Sequence, residues 1–207
     1  MRVEPILLDA LWDSARNRDE PRLLFLARPG ASVSDALDRL LAAHPVGGRL
    51  GRSAVPAANR HQSLSDRYID TPEIRERMLR AGENVRAPAM TLAFERLCSA
   101  PRHPGNRHLW LARPVQRSSQ PLQTVIRAIN AALAAQGLPP GGGHAPHVTL
   151  SYSAALALPH DEPIAPIEWT LDTIELAVGG GDPYHYETLG HWRLGPEPPR
   201  PMQSHLF

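Results

Sequence analysis

Apolar residues recur along this chain in two rhythms, one suited to strands and one to helices. Arg22 to Ala27 opens with an unbroken run, Leu23-Leu24-Phe25-Leu26-Ala27, stopped by Pro29-Gly30, and predicts a buried strand. Val33, Leu37, Leu40 and Leu41 then fall at helical spacing. They predict a helix from Ser32 to His44, with Ser32 as N-cap and Asp35 completing an imperfect capping box. Val46 to Asn59, with Gly47-Gly48, Gly51 and Pro56, reads as loop, and a short strand follows around His61. Thr71-Pro72 marks the next helix start and Gly82 its predicted end. Ala89 to Leu97 alternates as a half-buried strand does, and Pro101 to Asn106 reads as loop. A second Leu-rich strand is expected over Arg107 to Ala112. The strongest helical stripe, Leu122, Val125, Ile126, Ile129 and Leu133, lies within Pro121 to Gln136. Gly141 to Gly143 lead into a strand carrying His147. Glu168 to Val178 and Tyr184 to Leu194 read as two last strands joined by a turn at residues 179–183.

The order of these elements repeats. Leu24-Phe25-Leu26-Ala27-Arg28-Pro29 returns 85 residues later as Leu109-Trp110-Leu111-Ala112-Arg113-Pro114. Arg60-His61-Gln62-Ser63-Leu64 returns 86 residues later as Pro146-His147-Val148-Thr149-Leu150. One amphipathic helix separates the apolar run from the His motif in each half. Self-similarity of this kind predicts two related lobes. The fold class expected is α+β: a bilobal, pseudo-two-fold duplication with mostly antiparallel sheets lining a central cleft and helices outside. Residues 1–21 read as an N-terminal extension, 22–194 as one bilobal domain with repeat units near 22–68 and 107–152, and 195–207 as a Pro-rich tail.

Composition narrows the function classes. A formal net charge of +1 is too small for strong non-specific nucleic-acid binding, so any site for a phosphate must come from local placement of charge. All 22 residues counted as Lys plus Arg are Arg. Chemistry through a lysine Schiff base, a P-loop lysine or a lysyl–nucleotide intermediate is thereby excluded. The single Cys98 rules out an intramolecular disulfide. With no run of about eighteen apolar residues and no signal-peptide pattern, the expectation is a cytoplasmic protein, without membrane attachment and monomeric.

In a strand, alternate side chains share a face, so His61 lies beside Ser63 and His147 beside Thr149. Each motif thus offers an imidazole and a hydroxyl to one cleft. Two facing imidazoles suit in-line displacement at phosphorus: one takes a proton from the attacking oxygen, and the other protonates the leaving oxygen. The hydroxyls would donate to the non-bridging oxygens, where charge builds up. A cyclic phosphodiester needs no metal for this, and neither metal nor cofactor is expected. His144, three residues before His147, lacks the Cys cluster or His-Glu-x-x-His pattern of a zinc site.

These paired motifs resemble the two-histidine (2H) phosphoesterase superfamily, and their order resembles its RNA 2′,3′-cyclic phosphodiesterase branch, the bacterial 2′-5′ RNA ligase or LigT-like proteins. The resemblance covers roughly Arg22 to Leu194. It implies a metal-free site in which His61 and His147 are catalytic and Ser63 and Thr149 bind phosphate. The partners implied are RNA ends or small nucleotides bearing a cyclic phosphate, with reversible 2′-5′ RNA ligation as a further activity of the family. It leans towards His147 as base and His61 as acid. The chain departs from the family where Ser63 replaces Thr, where Ser65-Asp66-Arg67-Tyr68 replaces an aromatic-Leu-Gly run, and where Ala145 and Tyr152 stand in place of arginines. Arg67 and Tyr152 are the further candidate substrate contacts, Arg67 as a bidentate phosphate clamp and Tyr152 as a stacking surface. The competing class is a non-catalytic RNA- or nucleotide-binding module on the same scaffold.

Overall fold

The computed structural model describes residues 20–102, 106–116 and 118–196. Most of the N-terminal extension and nearly all of the Pro-rich tail therefore lie outside the described residues. The elements are β1 (Arg22–Ala27), α1 (Ala31–Ala43), β2 (Gln62–Ser63), β3 (Tyr68–Ile69), α2 (Pro72–Asn84), β4 (Met90–Arg102), β5 (Arg107–Arg113), α3 (Gln120–Ala135), β6 (Val148–Ala154), β7 (Glu162–Leu171), β8 (Thr173–Gly180) and β9 (His185–Arg193). Two short 3-10 segments, Gly47–Ser53 and Ala57–Asn59, lie inside the stretch read as loop. No helix among the described residues is long and apolar enough to cross a membrane.

The strands form two antiparallel sheets. One runs β2-β1-β8-β9, with β3 also pairing β1; the other runs β6-β5-β4-β7. The two orders superimpose element by element, motif strand at one edge and apolar strand next to it, as a duplication requires. Register makes the equivalence sharper. Leu26 pairs with Ser63 across β1 and β2, and its repeat counterpart Leu111 pairs with Thr149 across β5 and β6.

β1 is buried on both faces, which is why it reads as a continuous run without alternation, while on β5 Leu109, Trp110 and Ala112 are buried and Leu111 is half-buried. On β1, Leu23, Phe25 and Ala27 enter the main core with Leu37, Trp110, Ile126 and Leu176. Leu24 and Leu26 face the other way and form a separate small cluster with Ala177, against which Tyr186 packs. Ser63, opposite Leu26, shares this second face. The cleft side of the first sheet therefore has a dry floor beside the motif.

Several boundaries differ from the sequence reading. α1 is capped by Gly30, without a side-chain cap; Ser32 lies inside the first turn. Gly82 does not end α2, which continues to Asn84: a Cβ there would come within 2.3 Å of the Trp192 ring, so this glycine serves close packing. β4 runs on through Pro101 to Arg102, into the stretch expected as loop, of which residues 103–105 lie outside the described residues. The stretch 168–178 is two strands, β7 and β8, parted at Asp172 and belonging to different sheets. Thr71 does cap α2, its hydroxyl accepting from the Ile74 N–H at 3.2 Å.

Trp110 is the largest fully buried side chain; it donates from Nε1 to the Leu156 carbonyl at 2.9 Å and meets His44 edge-on at 5.3 Å. Trp110→Ala should cost about 3–5 kcal/mol of stability, through the cavity and the orphaned carbonyl. Urea unfolding of the two proteins measures this, and an unmoved midpoint would contradict the packing described.

Candidate active site

Both motif histidines are oriented in the same way. His61 Nδ1 lies 2.8 Å from the Asn59 carbonyl, and His147 Nδ1 lies 2.9 Å from the Ala145 carbonyl, two residues back in each case. A carbonyl can only accept, so each Nδ1 carries the proton and, in the neutral ring, each Nε2 carries the lone pair. The accepting carbonyls are themselves held. Asn59 donates from its side-chain amide to the Tyr184 carbonyl at 2.8 Å, and Ala145 accepts a second bond, from Gln62, at 3.3 Å. Ahead of His61, the buried Arg60 ties the chain to the Val55 and Ser34 carbonyls and to Asp38.

The two motifs meet along a seam. Gln62, between His61 and Ser63, is fully buried and accepts from the His147 N–H at 2.7 Å. Asp66 accepts from the Gly142 N–H at 3.1 Å, and Tyr68 donates to the Pro139 carbonyl at 2.5 Å. Gly141 is glycine for contact: a Cβ would come within 2.8 Å of the Asp66 carboxyl carbon. His144 Nε2 sits 3.4 Å from Asp66 Oδ1, so this histidine belongs to the seam. On the other flank Val55 donates to the Leu150 carbonyl at 2.8 Å.

Arg67 and Tyr152, the further candidates, are brought to the same place. Arg67 Nη2 donates to the Tyr186 hydroxyl at 2.9 Å, and Tyr152 is hydrogen-bonded to Thr149. The register of β6 shifts twice against β5, between Ser151 and Thr149 and again between Ala154 and Ser151. Irregularities of this type re-aim side chains. Ser151 is buried and bonds Ser53, while Tyr152 reaches Thr149. Tyr186, from β9, completes the group: its ring meets His61 edge-on at 4.7 Å, and its carbonyl accepts from Arg28 at 3.2 Å. Sequence reasoning missed Gln62, Tyr186 and Arg28. For Arg28 a signal existed, because it closes the first apolar run directly before the turn and lies across from the residue preceding Gln62.

The charges are arranged unevenly. His61 is pushed down to about 4, first by burial and then by the positive charges of Arg67, His147 and Arg28, against the support of the Asn59 carbonyl. His147 is also lowered, by burial and by His144, with the Ala145 carbonyl opposing. Burial works against the charge on Arg67, and the phenol oxygens of Tyr186, Tyr184 and Tyr152 more than offset it. Among the described residues Arg67 makes no ion pair with a carboxylate. No group of three or more His, Cys, Asp or Glu among the described residues is placed to hold a metal ion. A cavity of about 420 Å³ lies against the start of α1, lined by Arg28, Glu168, Asp172 and Glu175 among others; neither motif histidine lines it.

No protein-family model matches this sequence, and no curated protein matches it. Solved structures do match. E. coli LigT in its apo form aligns with a TM-score of 0.61 at 20% identity, over 86% of this chain and 99% of that one. LigT complexed with ATP aligns with a TM-score of 0.63 at 17% identity over the same shares. TT0787 of Thermus thermophilus aligns with a TM-score of 0.63 at 19% identity, covering 86% of this chain and all of that one (100%). The likeness shows the fold: two antiparallel sheets with helices in the LigT arrangement, in accord with the 2H phosphoesterase resemblance of the paired motifs.

The depressed His61 carries a sign for stability. Between about 6.5 and about 4 the unfolded chain takes up a proton that the folded site refuses, so stability is fully present above that window and falls as pH falls through it. The loss at its acid end is up to about 3 kcal/mol. His61→Asn should flatten this part of the profile relative to wild type. Melting temperatures across pH 4 to 7 test it, and identical slopes would refute the depression.

Proposed function

We propose that this protein is a metal-independent phosphodiesterase that opens 2′,3′-cyclic phosphates at RNA ends or on nucleotides to a phosphomonoester, by acid–base catalysis between His61 and His147. The observation that carries this reading is the pair of imidazoles, each with Nδ1 tied to a carbonyl and Nε2 left for proton transfer, beside a half-buried arginine without a carboxylate partner among the described residues. Such a cation favours an anionic ligand, and the LigT fold supports a phosphoester.

The division of labour follows from the charges. Arg67 and Arg28 act on His61, so the proton of a singly protonated pair resides on His147. His61 is then the base and His147 the acid, opposite to the lean drawn from the family. Water forms its bond to phosphorus as His61 Nε2 takes its proton. The bond from phosphorus to the ribose oxygen breaks as His147 Nε2–H protonates that oxygen. Ser63 and Thr149 donate to the non-bridging oxygens, and Arg67 balances their charge. The edge of Tyr186 holds the His61 ring. 2′-5′ RNA ligation would use the same groups in the same roles, with a ribose hydroxyl in the place of water.

Incubation with nucleoside 2′,3′-cyclic phosphates and cyclic-phosphate-ended RNA should yield phosphomonoesters at a rate unchanged by EDTA. Binding without turnover would leave the non-catalytic module, and activity lost to EDTA and restored by a divalent metal would overturn the metal-free chemistry.

His61→Ala and His147→Ala should each slow turnover by about a hundred- to ten-thousand-fold. A phosphodiester with a much better leaving group, which needs no proton, should restore His147→Ala and not His61→Ala. Rescue of the His61 variant alone would reverse the assignment. Equal rescue of both would end the acid–base mechanism.

A further inference from the structure

Alternation along β2 turns Gln62 away from His61 and Ser63, into a site where its side chain is fully buried. Its amide nitrogen donates to the Ser63 carbonyl at 2.8 Å and to the Ala145 carbonyl at 3.3 Å, and its amide oxygen accepts from the His147 N–H at 2.7 Å. The opposite amide orientation would set an oxygen against two carbonyls and a nitrogen against an N–H, so the chemistry of the neighbours fixes it. The side-chain amide therefore behaves as a peptide group of a neighbouring strand would, donating to residue 145 and accepting from residue 147. Ala145 is also the residue whose carbonyl holds His147 Nδ1.

We propose that Gln62 is a positioning residue, which fixes the backbone of Ala145 to His147 so that the His147 ring keeps its proton on Nδ1 and presents Nε2 to the cleft. It transmits the placement of the first motif to the second, since its own backbone lies between His61 and Ser63. For its kinetic arm this inference rests on the acid–base reading above. The charged and titratable groups around His147 are His144 on its own loop and His61 across the cleft, with Asp66 and Arg67 beyond them.

Gln62→Glu separates positioning from filling. A protonated glutamic acid has one donor and one acceptor and can reproduce the amide's bonds to Ala145 and His147; an ionised carboxylate only accepts, and would face two carbonyl oxygens. Buried there, it titrates above the usual carboxylate value of about 4.3. Relative to wild type at each pH, the kcat of Gln62→Glu should be near normal at the acid end. It should fall by about ten- to a hundred-fold as the carboxylate ionises, the scale of a misplacement near 1 Å, with KM little moved. Gln62→Met, similar in shape and without hydrogen bonds, should show the same loss at all pH values. Nitrogen-15 NMR of the histidine rings supplies a readout free of turnover: wild-type His147 should be the Nδ1–H tautomer, and Gln62→Met a mixture.

A folded Gln62→Met with wild-type kcat and an unaltered His147 tautomer would overturn the proposal. So would a Gln62→Glu whose activity, normal or lost, is the same fraction of wild type at every pH; this arm decides the matter if the methionine variant fails to fold. Wild-type protein without turnover on cyclic phosphates would remove the proposed function alone, and the tautomer would still judge Gln62.

Discussion

The structure depends on a strip of hydrogen bonds between residues 61–68 and 139–147, where each half of a duplicated chain holds the other's motif in place. Gln62 binds at Ala145 and His147, Asp66 at Gly142, and Tyr68 at Pro139. On the opposite flank Val55 joins Leu150. Leaving one such buried group unpaired costs about 1–3 kcal/mol. These bonds are made only when both motifs are in register, so the cost of misplacing either motif is shared by several contacts. Proton transfer to a bound phosphate tolerates little error in donor and acceptor position. Neither motif strand could supply that alone, since each is the edge of its sheet.

The seam also settles where charge can sit. It buries the His61 imidazole, half-buries that of His147 and leaves Arg67 among phenols, where no carboxylate of the described residues pairs with it. An anion entering the cleft would meet an arginine that has no carboxylate partner among the described residues. The same anion would raise the proton affinity of the histidines, because it offsets the cations that depress His61. On the proposed function, binding of a phosphate and readiness for proton transfer would thus be one electrostatic event.

Much of this was legible because it is local. The two apolar runs, the helices that follow them and the His-x-hydroxyl-Leu repeats depend on period and spacing, and these survive in β1, α1, β5, α3 and the register of Ser63 and Thr149. What was not legible depends on contacts made across the chain. Gln62 looks like filler between the two motif residues until Ala145 is placed opposite it. Tyr186 stands 125 residues from His61, with no motif around it. Gly82 resembles a helix terminator because nothing local reveals the ring of Trp192. The β7–β8 boundary escaped for a different reason: one residue, Asp172, separates two strands whose apolar alternation continues across the corner, so pattern alone cannot show the change of sheet.

On the proposed function, a duplicated site faces a difficulty that its symmetry creates: general acid and general base must differ, and two identical lobes would give two identical histidines. Here the difference lies in the arginines that end the apolar runs. Arg28 and Arg113 are repeat counterparts. Arg113 forms an ion pair with Asp161 and donates to Cys98, which occupies it. Arg28 stands 3.6 Å from Glu175, whose carboxylate also accepts from the Thr188 hydroxyl at 2.6 Å. Its charge reaches His61, whereas that of Arg113 is not among the influences on His147. Arg67, supplied by the loop after the first motif, adds to the same side. Burial lowers both imidazoles; beyond it, Arg67 and Arg28 act on His61, while the further lowering at His147 comes from His144. On the proposed function, duplication provides the facing geometry, and the unequal charges of the two lobes provide the direction in which the proton moves.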